Sequence, residues 1–183
     1  MHLETLSLNN FIIDPKNSAA QQEVKKLKEA LLGEGFFLLI DHGIENEIID
    51  KAYEQSETFH NLDDDDPRKQ ATHYRYAHFG RGWSPCGEEP AYSAGTKATC
   101  SAFDMCYEIA EVDTEHENYG PNLWPLEMPE YQEAVYDYYL KFSELEQKVA
   151  NAIEEALGLD KDHITSKMTE RSPSTMRLIF YPP

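Results

Sequence analysis

Basic residues are scarce in this chain. Sixteen Lys and Arg stand against thirty-four Asp and Glu in 183 residues, a formal net charge of -18. So acidic a surface repels phosphate backbones and anionic lipid headgroups, which excludes nucleic acid and membrane surfaces as expected partners. Cysteine is scarcer still. Cys86, Cys100 and Cys106 are the whole complement; an odd number does not make a disulfide framework, and with His73 and His78 the spacing is too loose for zinc. A reducing, cytoplasmic location is expected. No run of eighteen apolar residues occurs, and the start, Met1-His2-Leu3-Glu4-Thr5-Leu6-Ser7-Leu8, has neither the basic region nor the apolar stretch of a secretion signal. The four successive aspartates, Asp63 to Asp66, lack the alternating ligands, central Gly and closing Glu of a calcium loop. They read as a solvated loop. No internal repeat is present.

What is there suffices for one domain, 1–183, since 40% of the residues are hydrophobic. Val24, Leu27, Leu31 and Leu32 recur at helical steps behind a cap at Asn17 or Ser18, and Gly33 and Gly35 end that helix. Phe36 to Ile40 is a short continuous apolar run bounded by Gly and by Asp41-His42-Gly43, the pattern of a buried strand. His42 has the place of a turn and capping residue there. Ile44, Ile48, Ile49, Ala52, Tyr53 and Phe59 mark a second helix. From Gln70 to Asn122 periodicity fades, as in mobile, substrate-facing loops. After Pro129, the residues Tyr131, Val135, Tyr138, Phe142, Leu145, Val149, Ile153 and Leu157 line one face of a long helix that ends at Gly158. A short further helix is expected between Asp160 and Met168. The chain closes on Thr175-Met176-Arg177-Leu178-Ile179-Phe180-Tyr181-Pro182-Pro183, whose branched and aromatic residues predict a strand. No partner run follows it, so the chain is expected to be cut inside a larger sheet.

Five pieces carry a family resemblance: Gly35-Phe36-Phe37-Leu38-Leu39-Ile40-Asp41-His42-Gly43-Ile44, Gly82-Trp83-Ser84-Pro85, Gly120-Pro121-Asn122-Leu123-Trp124-Pro125, Ala156-Leu157-Gly158-Leu159, and Arg177-Leu178-Ile179-Phe180-Tyr181-Pro182-Pro183. In this order they resemble the N-terminal region of the isopenicillin N synthase-like, 2-oxoglutarate/Fe(II)-dependent oxygenases (the non-haem dioxygenase N-terminal domain). Two departures stand out. Trp83 is found where the family often has Tyr, and the family's D-x-K-E-x-F-D-I-G stretch survives only as Tyr107-Glu108-Ile109-Ala110. The resemblance implies a mixed α/β (α+β) fold, with helices packed on strands of an incomplete double-stranded β-helix, or jelly-roll. Residues 175–183 would be the entering strand of a C-terminal oxygenase barrel.

By the same resemblance the complete enzyme would turn 2-oxoglutarate into succinate and hydroxylate or desaturate a small molecule, with Fe(II) held by H-x-D and a distant His. No His stands two residues before an Asp here. The H-x-E formed by His2, Leu3 and Glu4 lies on a chain end, and the R-x-S pair that grips 2-oxoglutarate would lie after Pro183. The chain alone is therefore expected to bind no metal or cofactor and to be inactive, with the C-terminal barrel as its partner. In relatives the Tyr of the YPP strand lies near the co-substrate, so Tyr181 is the first residue carried over. Arg177 is the second, either holding an anion through its planar fork or forming an inter-element ion pair. Arg81 and Trp83, flanked by Gly80 and Gly82, occupy the place of substrate-contacting loop residues, either lining a pocket or packed for structure. Two other readings stay open: an isopenicillin N synthase-like oxidase that does without 2-oxoglutarate, and a free-standing, non-catalytic binding module.

Overall fold

The three helical stripes of the sequence become three long helices in a computed structural model, which describes residues 3–78, 80–90, 93, 95–113, 115, 119–168 and 174–182. In chain order the elements are β1 (Glu4–Ser7), α1 (Asn9–Ile13), α2 (Ser18–Leu32), β2 (Phe37–Ile40), α3 (Asn46–His60), α4 (Pro67–Gln70), β3 (Gly82–Ser84), β4 (Ser101–Met105), α5 (Pro129–Leu157) and β5 (Met176–Phe180). Single 3-10 turns cover Tyr74–Tyr76 and Thr165–Lys167. The second of these is what the expected short helix after Asp160 amounts to. The chain divides into two compact units, one of Met1–Glu45 and Leu140–Glu170, the other of Asn46–Tyr139 and Arg171–Pro183. His2, Pro173 and Pro183 lie outside the described residues.

In the first unit, Asn17 caps α2 by accepting a 2.8 Å hydrogen bond from the Ala20 amide. Val24 and Leu27 then turn inward with Leu6, Leu8, Phe11, Ala152 and Ala156 to form one apolar core. β2 pairs with β1 in parallel, Glu4 opposite Phe37 and Ser7 opposite Ile40. It is not buried on both faces as its composition predicted. Phe37 and Leu39 pack on the core, whereas Leu38 and Ile40 are 53% and 47% exposed. The outward positions happen to be apolar, so alternation was invisible. Past the helix end, Glu154 gathers the chain: its carboxylate accepts hydrogen bonds from the amides of Asp162, Ile164 and Thr165. These amide donors, Thr165 foremost, hold the carboxyl below its ordinary range.

In the second unit, β3, β4 and β5 make an antiparallel sheet in that order. The terminal strand does have a partner in this chain, and it lies upstream: Ser101 stands opposite Phe180 and Met105 opposite Met176. β5 is the outer strand of this sheet. Phe59 of α3, Trp83, Phe103 and Met105 of the sheet, and Tyr131, Val135 and Tyr139 of α5 form the core, with Met176 and Leu178 packed on it. The stretch expected to be irregular is tied down by side chains. Glu108 accepts hydrogen bonds from the amide and side chain of Asn122 and, at 2.8 Å, from the Trp124 indole. Two of the four aspartates are likewise structural. Asp66 caps α4 through the Arg68 amide, and Asp64 accepts a 2.9 Å bond from Lys69.

Candidate functional site

β5 shows why two of the residues singled out in the sequence belong together. Its side chains alternate, so Met176, Leu178 and Phe180 turn one way and Arg177, Ile179 and Tyr181 the other. Met176 and Leu178 pack on the core and Phe180 stacks on His60, whereas Ile179 and, just past the strand's end, Tyr181 are 48% and 70% exposed. Arg177 and Tyr181 therefore share one open face.

The Arg177 fork is not free for an anion. Its Nε and Nη2 donate to the two oxygens of Asp104 at 2.7 and 2.6 Å, across the β4–β5 ladder. Its Nη1 and Nη2 also donate to Glu89 at 2.9 and 3.2 Å. An anionic ligand would have to compete with both carboxylates, so the ion-pair alternative is the one realised. Burial pushes the Asp104 carboxyl up and the guanidinium pulls it down. Burial prevails, so the Asp104 carboxyl stands above its ordinary range, and Asp104 in turn holds Arg177 more firmly protonated than usual.

Behind the sheet lies a buried polar chain. The Trp83 indole donates to Ser101 Oγ at 2.8 Å, and Ser101 Oγ is 3.1 Å from His60 Nδ1. An indole can only donate, so Ser101 Oγ accepts from Trp83, and its second lone pair or its proton meets His60 Nδ1. The His60 ring stacks on Phe180, centroids 5.3 Å apart and planes 7° from parallel. Lys69 Nζ donates to the carbonyls of His60 and Leu62 and to Asp64, and lies 4.9 Å above the Trp83 ring. Burial lowers the His60 pKa to about 4; Lys69 adds to the fall, and the Leu178 backbone and Asp64 oppose it.

Trp83 and Arg81 thus sit elsewhere than a substrate-facing loop would put them. Trp83 is wholly buried in β3 with its polar edge satisfied, and Arg81 is 2% exposed. Neither offers a face to a small molecule in solvent. Gly82 between them has φ +92°, and a Cβ there would lie 2.5 Å from the Thr72 carbonyl oxygen. This turn folds tightly onto 72–74 because only glycine fits it. His42 is a turn residue, its Nδ1 accepting from the Ile44 amide at 3.1 Å. Asp104, Glu89, His60, Ser101 and Lys69 were not read from the sequence. Their pairings depend on strand register and on loop closure, for which single residues carry no signal.

Among the described residues, no group of three or more His, Cys, Asp or Glu side chains is placed to hold a metal ion. The donor set for Fe(II) is therefore not found in them. A groove of about 460 Å³ opens between Glu47, Ile48 and Lys51 of α3 and Glu133, Ala134 and Asp137 of α5. It includes none of the residues above. No helix among the described residues is long and apolar enough to cross a membrane.

A family model described as non-haem dioxygenase in morphine synthesis N-terminal matches residues 3–127. Among curated proteins, a homoarginine-6-hydroxylase of Arabidopsis thaliana is 30% identical over 87% of this chain and 48% of its own length. A 2-oxoglutarate-dependent dioxygenase of Didymella fabae is 23% identical over the whole chain and 57% of its own. The chain spans about half the length of the curated relatives it matches. Among solved structures, a 2OG-Fe(II) oxygenase family protein of Caulobacter crescentus superposes with a TM-score of 0.75 at 22% identity, over 99% of this chain and 56% of that one. A full-length Neurospora crassa protein in complex with alpha-KG gives 0.77 at 18% identity, over 98% and 54%.

Proposed function

The chain belongs to the non-haem dioxygenase N-terminal family of the 2-oxoglutarate/Fe(II) oxygenases, and we propose that it is the N-terminal portion of such an enzyme, one that hydroxylates or desaturates a small molecule. In this reading the sheet β3–β4–β5 is one edge of a double-stranded β-helix whose further strands carry the iron ligands and the 2-oxoglutarate clamp. The observation that carries the proposal is the open face of β5. Arg177, Ile179 and Tyr181 turn away from the core formed by their own unit, and half-exposed apolar and phenolic side chains on a sheet face call for a covering layer. The family match over 3–127 and the half-length coverage of relatives support the same reading.

Within that enzyme Tyr181 stands beside the co-substrate, and its hydroxyl contributes one hydrogen bond. Arg177 acts from the same face through its ion pairs. Trp83 and Arg81 support the wall from behind. The test is 2-oxoglutarate-dependent succinate formation by the gene product that contains these residues and the sequence following them. Tyr181→Phe should raise the KM for 2-oxoglutarate roughly fivefold, the worth of about 1 kcal/mol. The KM for the oxidised substrate should stay the same. A shift confined to the substrate KM would show that Tyr181 has the other role.

A further inference from the structure

Glu88 and Glu89 are adjacent, yet they bind in different directions. Glu88 accepts a 2.9 Å bond from Arg75, in the turn Tyr74–Tyr76, and lies 3.6 Å from His73 Nε2. Glu89 binds Arg177 on β5 through both its oxygens. The same stretch is paired on itself: the Gly87 amide donates to the Ala98 carbonyl and the Ala98 amide to the Glu89 carbonyl, both at 2.9 Å, and Pro90 bridges to Lys97. Residues 86–90 and 95–98 are thus the two sides of a hairpin. Its first side is stapled on one flank to the 3-10 turn and on the other to β5. Because Glu89 meets Arg177, it lies over the face that also carries Ile179 and Tyr181.

A lone exposed ion pair would hold little. This one differs in geometry. Asp104, opposite Arg177 on β4 and with its side chain 10% exposed, takes Nε and Nη2 and so fixes the plane of the guanidinium. The remaining edge of the fork then points at Glu89 without further loss of side-chain freedom. A lysine at 177 has one nitrogen and no plane. It could keep Asp104 or Glu89 but could not hold both in these directions.

We infer that Arg177 is a positioning residue: clamped by Asp104, it fixes the paired segments 86–90 and 95–98 through Glu89 beside the open face of β5, so that this hairpin forms the wall next to Tyr181. In the oxygenase reading, on which the role of the wall rests, Tyr181 stands beside the co-substrate, so the hairpin next to it shapes the co-substrate's site.

Limited trypsin digestion reads the clasp directly, since Lys97 is exposed on the hairpin and cleavage after it follows the opened population. Glu89→Gln and Arg177→Lys should each accelerate that cleavage roughly fivefold to tenfold, the equilibrium value of one charge-assisted bond. Cleavage after Lys26 and Lys141, within helices, should keep its rate. The double variant should be no faster than either single one, because both remove the same bond. In the active enzyme Glu89→Gln should raise the KM for 2-oxoglutarate. Unchanged cleavage after Lys97, additive effects in the double variant, or an unchanged 2-oxoglutarate KM would each overturn the inference. Absence of any 2-oxoglutarate turnover in the wild type would instead refute the oxygenase reading, while the cleavage rates would still decide whether the clasp exists.

Discussion

His60 ends α3 with its imidazole enclosed by Ser101, Phe180 and Phe59, and its pKa of about 4 lies well below the ordinary 6.5. Between these values the unfolded chain takes up a proton that the folded chain refuses. Stability is therefore full above about pH 6.5 and falls as the pH drops toward 4. From pH 6.5 to 5 the loss should be about 1.5 kcal/mol, and it should vanish in His60→Gln, whatever that variant costs at neutral pH. Urea titrations at the two pH values measure both slopes. An acid limb that persists in His60→Gln would assign the proton elsewhere. None of this was legible in the sequence, where a His between Phe59 and Asn61 could as well be a helix-end surface residue. His42 was legible, because Gly43 beside it already marks a turn. Tyr181 and Arg177 could be singled out by resemblance, but the carboxylates that bind Arg177 lie 73 and 88 residues away in sequence and could not.

At the scale of elements, helices were legible and strands only in part. The stripes of α2, α3 and α5 repeat every three or four residues, which places the helices, but their inward faces were read only in part: Val24, Leu27, Ala52, Phe59, Tyr131, Val135 and Leu145 are buried, whereas Leu32, Tyr53, Phe142 and Leu157 are exposed and Tyr139 rather than Tyr138 joins the core. A four-residue strand gives no such redundancy. In β2 an apolar outward face imitated burial on both sides, and β5 seemed to lack a partner because the partner, β4, lies upstream of the long helix. β3 depends on one residue more than on any pattern. Gly82 lets the strand pass 72–74 closely enough for the Trp83 amide to donate to the Thr72 carbonyl at 2.7 Å. Gly82→Ala places a Cβ against that carbonyl at positive φ and should cost roughly 2–4 kcal/mol. Gly87, also at positive φ but with nothing within 4 Å of its Cβ position, supplies the comparison: Gly87→Ala should cost about 1 kcal/mol. Equal losses in urea titrations of the two variants would mean that backbone strain alone, and not the close approach to Thr72, makes glycine necessary at 82.

Across the whole molecule, order was more legible than closure. The sequence of a GFF strand, a second helix, an irregular stretch, a long helix and an R-L-x-x-YPP strand could be recognised, and the family match over 3–127 covers the first three of these. What that order encloses could not be read, since the face of β5 that stays open is defined by what its own unit leaves uncovered. The proposed division of labour follows from this: the residues here build a wall of the site, with Tyr181 and the Arg177 clasp upon it, and the metal centre is supplied by other residues. Anaerobic titration calorimetry with Fe(II) and 2-oxoglutarate, on the 183-residue chain and on any longer gene product that contains it, tests that division directly. We expect no stoichiometric binding to the 183 residues and one site for each ligand in the longer product; a stoichiometric site of micromolar affinity in the 183 residues alone, or none in the longer product, would contradict it.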